Sequence, residues 1–184
     1  MQLPREKSSR GYTLLEFLVV IAIAAIFCAI SAPGWMAFLT MQRLQVAQAQ
    51  AISVMREAQI NAKREKRVWE ACFRQNETER KVQWSVHPVT PSDSGTCANA
   101  RWQNLIDADA NQIAIANSGS ARSTMFNRNG MYRIQFKYKG WVNGQLGKIT
   151  FTSSANPNRG IKRCVIVSTL IGAMREADDR ECDR

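Results

Sequence analysis

Gly11-Tyr12-Thr13-Leu14-Leu15-Glu16-Phe17 opens the stretch that decides the fold, and from Phe17 to Ala32 every following residue is apolar or small, with Ser31 the only hydroxyl. With Tyr12 to Leu15 added, the run is about 21 residues, and at about 1.5 Å per residue it crosses a bilayer core of about 30 Å. No second such run exists, so a single crossing is expected. Arg5, Lys7 and Arg10 precede it against one acid, Glu6. By the positive-inside rule the N-terminus stays cytoplasmic and the remainder is exported. Two features depart from a secretory signal: the run is longer than an ordinary apolar region, and no small-x-small cleavage site follows it. Glu16 also sits within the membrane side of the boundary. A carboxylate there costs about 2.5–3.5 kcal/mol on insertion scales, so it calls for a partner.

Residues 11–17, with the short basic leader before them and the apolar helix after, resemble the type IV prepilin processing site. That pattern reads Gly, an aromatic, Thr-Leu-(Leu/Ile)-Glu, then an apolar helix; Tyr12 stands here where Phe is usual. The resemblance implies that a prepilin peptidase cuts after Gly11 and N-methylates the new terminus at Tyr12. It implies other pilins or pseudopilins as partners, in a helix bundle at the inner membrane. Cleavage would leave a cationic amine at Tyr12, and Glu16 of one subunit would neutralise the amine of a neighbour. An unpaired charge in a low-dielectric bundle is heavily penalised, so such pairing selects axial register. Pro33 falls where many pilins carry a helix-disrupting proline, and a bend or break is expected over Ser31–Gly34.

Beyond Gly34 the pattern is helical to about Arg67. Leu44, Ala47, Ala51, Met55, Ala58 and Ala62 recur every three or four residues as one apolar face, with Gln45, Gln48, Gln50, Arg56 and Gln59 largely off it. The alanines suit close approach to a sheet. After that the period becomes two, with strands expected near 68–74, 81–87, 112–116, 131–139, 148–153 and 161–168. Turns are expected at Asn76–Glu79, Pro88–Gly95 and Asn156–Gly160. The fold expected is therefore α+β and pilin-like. A long N-terminal helix, half transmembrane and half amphipathic, packs on an antiparallel β-sheet head. The divisions are a leader (1–11), a transmembrane half (12–34), an amphipathic half (35–67) and a β-rich head (68–184).

Phe126-Asn127-Arg128-Asn129-Gly130, Ile149-Thr150-Phe151 and Val165-Ile166-Val167-Ser168 leading to Gly172 make the head similar to the GspH/FimT family of minor pilins and pseudopilins. The resemblance implies a minor pilin in assembly or priming of the pilus, or alternatively a minor pseudopilin of a type II secretion system. Some FimT-type pilins bind DNA during uptake through Gly-Arg-x-Arg; here the stretch is Gly172-Ala173-Met174-Arg175, with the first arginine replaced.

Cys28 lies in the membrane run and reads as a small packing residue. Cys72, Cys97, Cys164 and Cys182 form an even set in an exported domain, where disulfides persist. Three pairings are open. Cys72–Cys97, joining the first strand to the loop after the hairpin, and Cys164–Cys182, tethering the tail, are preferred. No CxxC or HxxxH spacing suggests a metal. A chain of 184 residues with one histidine, His87, shows no nucleophile–base pair, and neither catalysis nor a cofactor is expected.

The net charge is +10, and from Ala110 to Arg175 there is no acid. Arg128, Arg133, Lys137, Lys139, Arg159, Lys162, Arg163 and Arg175 lie in that stretch, with Arg133, Lys137 and Lys139 expected on one strand face. Such a face is either a solvated surface that blunts sheet edges or a phosphate-binding patch for DNA.

Overall fold

The computed structural model describes residues 13–90, 97, 100–107, 109–155, 157 and 160–183, apart from the side chains of 32 and 33. Gly11, Tyr12 and Arg159 lie outside the described residues, as do the Pro33 side chain, most of the Pro88–Gly95 loop, and Asn156 and Asn158 of the last expected turn. The chain divides into two units between Leu39 and Thr40.

Helix α1 spans Leu14–Glu65. In the first unit its apolar side chains, among them Leu15, Phe17, Val20, Ile26 and Ile30, are exposed. An 18-residue window has a mean hydropathy of 2.7 and no burial, long and apolar enough to cross a membrane. The helix runs unbroken through Ser31–Gly34, where the sequence suggests a bend or a break. Proline removes one N–H donor, and the flanking bonds suffice to carry the helix across.

In the second unit α1 buries Leu44, Ala47, Ala51, Met55, Ala58 and Ala62, together with Ile52 and Val54. The helix stops at Glu65, two residues earlier than expected, because Lys66 takes a left-handed φ of 54° that cannot continue it. Lys63 and Arg64 occupy the last turn, where cations complement the macrodipole.

Nine antiparallel strands form two sheets among the described residues. In chain order they are β1 (Trp69–Asn76), β2 (Lys81–Pro88), β3 (Gln103–Asn104), β4 (Ile113–Ile115), β5 (Phe126–Arg128), β6 (Met131–Phe136), β7 (Gly147–Ser153), β8 (Lys162–Val167) and β9 (Met174–Asp178). The five-stranded sheet has the order β3-β2-β1-β6-β5, and the four-stranded sheet β4-β7-β8-β9. A short helix α2 (Asp179–Cys182) closes the tail. The fold is thus α+β and pilin-like.

Turn chemistry sets the hairpins. Asn76 Oδ1 accepts the N–H groups of Thr78 and Glu79 and closes the β1–β2 turn. Asn129 and Gly130, both at positive φ (54° and 77°), make the two-residue connection between β5 and β6. β6 ends at Phe136 rather than at Lys139, because Gly140 N–H bonds back to the Lys137 carbonyl and turns the chain.

Phe73, Ile134 and Phe136 of one sheet and Ile149, Phe151, Val165 and Val167 of the other meet the α1 stripe in one continuous core. Two glutamines clasp the helix to strand and loop backbone. Gln48 is buried, not off the packing face as its polarity suggests, and its Nε2 donates to the carbonyls of Cys164 and Ala177, each at 2.8 Å. Gln59 Nε2 donates to Gly140 O at 2.9 Å and Gly172 O at 3.2 Å. Eleven residues is three helical turns, so both lie on one flank of α1.

Replacing Ala58 with Leu would force added volume between helix and sheets and cost about 1–3 kcal/mol. The urea midpoint of the detergent-solubilised chain should fall accordingly; an unchanged midpoint would show that the alanine contact is not tight.

Candidate functional site

The N-terminal element is built around Thr13. Its hydroxyl accepts the backbone N–H of Glu16 at 3.2 Å, and its carbonyl accepts Phe17 N–H at 3.2 Å. Thr13 is therefore the N-cap, and Thr13-Leu14-Leu15-Glu16 has the spacing of a capping box. The cap puts Glu16 in the first helical turn, where the dipole favours a carboxylate. The sequence already carried this signal in a threonine three residues before a glutamate. Among the described residues no cation pairs with the Glu16 carboxylate. Cys28 is an exposed free thiol on the same apolar helix.

The structure brings Cys72 to Cys97 and Cys164 to Cys182, each pair as a disulfide. The first staples β1 to the loop after the β1–β2 hairpin. The second ties the tail to β8. Glu70, Cys72 and Cys97 place their ligand atoms within 4.8 Å of one another, but both sulfurs are consumed by the disulfide.

Glu70 is the feature that sequence reasoning missed. It is fully buried on the face of β1 opposite α1, and register decides its company. His87 of β2 lies directly across on one side and Gln135 of β6 on the other, while Arg133 lies across from the neighbouring Cys72. Oε2 accepts from Gln135 Nε2 at 2.9 Å and Arg133 Nη1 at 3.3 Å; Oε1 faces His87 Nε2 at 3.5 Å without a hydrogen bond. The Arg133 guanidinium also lies 4.4 Å from the Phe126 ring centre. Alternation of polar residues along β1, β2 and β6 hinted at this face, but only pairing shows which residues meet.

The candidate DNA-contacting cations do not form one free face. Arg133 is turned onto Glu70. Lys162 pairs with Asp183 at 2.8 Å, Arg163 with Asp178 at 2.8 Å and Arg175 with Glu181. Lys137 and Lys139 lie past the end of β6, in a turn. Arg128 is exposed on β5. Neither Arg128, Lys137 nor Lys139 has a carboxylate partner among the described residues. The acidic tail thus spends its charge on the basic stretch of its own chain.

That tail is fastened at several points. Lys162 holds the Asp183 carboxyl below its ordinary value of 3.8, opposed by partial desolvation and helped by the Ser120 hydroxyl and the Lys148 charge. Lys148 is buried and donates to the Cys182 carbonyl. Burial pushes its ammonium below the ordinary lysine value, with Asp183 opposing that shift.

Residues 7–32 match the family described as the prokaryotic N-terminal methylation motif. No curated protein and no solved structure matches the chain. The motif supports a type IV pilin or pseudopilin, suggests processing by a prepilin peptidase and assembly with other pilins, and, with the apolar helix, fits anchoring in the inner membrane.

Two outcomes follow from these contacts. Arg133→Met leaves Glu70 buried without its cation and should cost about 3–5 kcal/mol, while Glu70→Leu combined with Arg133→Met should recover much of that loss. Urea unfolding of the three proteins checks it, and equal losses in single and double variants would contradict the coupling. Because the folded pKa of Asp183 is depressed, its stabilisation is complete above the ordinary carboxylate value and is lost as pH falls through the lower folded value. Phosphine reduction of Cys164–Cys182, measured against Cys72–Cys97 in the same molecule, should accelerate as acid is added below that range. In Asp183→Asn the relative rate should no longer change.

Proposed function

We propose that the chain is a minor type IV pilin of the GspH/FimT kind, cut after Gly11, N-methylated at Tyr12 and incorporated in the pilus for its assembly or priming. The observation that carries the reading is a capped helix start. It fixes Glu16 in the first turn of an exposed apolar helix, with no cation of the described chain beside the carboxylate. A lipid-embedded acid costs about 2.5–3.5 kcal/mol, and the methylated amine of an adjoining subunit is the group that would offset it. Pro33 would then lie inside the bundled helix, where a missing N–H eases local adjustment.

The leader is residues 1–11, the membrane half 12–34, the amphipathic half 35–67 and the head 68–184, with the head in the periplasm. Two disulfides fit an oxidising compartment. The same contacts would serve a pseudopilin of a type II secretion system, and the genes beside this one would separate the two. A role in DNA uptake would have only Arg128, Lys137 and Lys139 to draw on, the candidates that no carboxylate neutralises among the described residues. The work proposed is structural, with no chemical step assigned to the chain.

Glu16→Ala should insert and be processed but incorporate into filaments at a small fraction of the normal level, measured by immunoblot of sheared pili. Normal incorporation would remove the pairing argument. Gly11→Val should leave the leader attached, and a mature mass identical to that of the parent would show that cleavage does not require Gly11.

A further inference from the structure

Two β-turns lie side by side where α1 ends. In the first, Gly140 N–H bonds to Lys137 O at 2.7 Å, which makes Tyr138 and Lys139 the central residues. In the second, Gly172 N–H bonds to Thr169 O at 3.0 Å, which makes Leu170 and Ile171 central. Val142 N–H joins the turns by donating to Leu170 O at 2.8 Å, and Gln59 of α1 donates to the glycine carbonyl of each. Both glycines have positive φ (78° and 82°), and a Cβ at either would strike Lys63 or Gln59 of the helix. The turns are therefore rigidly seated.

Their composition is anomalous. Central turn positions favour Gly, Pro, Asn, Asp and Ser. Here Leu170 is 63%, Ile171 67%, Tyr138 54% and Trp141 50% exposed. The Lys139 ammonium lies 5.7 Å from the Tyr138 ring centre and 5.1 Å from that of Trp141. Lys137 stands beside them, and no acid occurs between Ala110 and Arg175.

From this juxtaposition we infer that the paired turns Lys137–Val142 and Thr169–Gly172 form a docking tip for an anionic lipid surface. Leu170 and Ile171 enter the acyl boundary, Tyr138 and Trp141 lie at headgroup level, and Lys137 and Lys139 meet lipid phosphates. Aliphatic tips, interfacial aromatics and a basic collar are the composition that lipid boundaries select. A nucleic acid would use the aromatic rings and the lysines but would leave the exposed Leu170 and Ile171 side chains unexplained. A protein partner would favour an interface core depleted of charge, whereas lysines are interleaved here. The inference does not depend on leader cleavage or filament assembly.

The test uses the full chain held in phosphatidylcholine nanodiscs, purified by the chain itself and mixed with separate vesicles. Discs should float with phosphatidylglycerol vesicles and far less with phosphatidylcholine vesicles, and empty discs should float with neither. Leu170→Ser combined with Ile171→Ser should weaken binding at least about tenfold. Lys137→Gln combined with Lys139→Gln should remove the anionic preference, at about fivefold per lysine. These side chains are exposed, so both variants should retain the disulfides and the parent melting temperature. Absence of flotation with anionic vesicles, or flotation indifferent to both variants, overturns the inference. So does capture of a single-stranded oligonucleotide that is lost in Tyr138→Ala with Trp141→Ala while vesicles are ignored, which would assign the turns to nucleic acid.

Discussion

Everything in the head is arranged around the close approach of one helix face to two sheets. Ala47, Ala51, Ala58 and Ala62 have no exposure, and the space they leave is filled by Phe73, Phe136 and Phe151 from the strands. Large residues on one side and small ones on the other let the surfaces interdigitate at interior density. The approach brings helix side chains within hydrogen-bond range of strand and turn carbonyls. Gln48 and Gln59 exploit this, and their bonds fix the helix along its length as well as in depth.

Charge is the second organising quantity, and here the linear pattern is misleading. A basic stretch followed by an acidic tail reads as a cationic surface with a separate solvated end. In the folded chain β9 and α2 return the tail to β8, so Lys162, Arg163 and Arg175 face their own carboxylates. Arg133 is drawn inward by Glu70, because a carboxylate with no solvent access must have a cation and hydrogen-bond donors near it. Of the candidate DNA-contacting cations, those left without a carboxylate among the described residues are Arg128 and the two lysines of the Lys137–Lys139 turn. That turn is also where large apolar side chains are exposed, a conjunction invisible until the two turns are placed together.

The two units place opposite demands on one helix. In Thr40–Arg184 the helix has a polar and an apolar side; in the unit before it the described side chains are exposed and almost wholly apolar. Thr13 starts this second kind of helix with a cap that needs nothing from the head. The match of residues 7–32 to the N-terminal methylation motif covers this segment and stops before the head.

Local chemistry determined by itself the apolar span, the helix start at Thr13, the alanine stripe and the alternation of β6, β7 and β8, because each depends on neighbours three or four residues away, or two. The Asn129-Gly130 turn, which is not among the turns expected above, rests on an equally local signal. What tertiary structure alone decided was the burial of Glu70, the inward turn of Arg133, the neutralisation of the acidic tail and the meeting of the two apolar turns. Each of these joins residues far apart in the chain. Periodicity says which way a side chain points from its own strand, but only register and sheet order say what it meets.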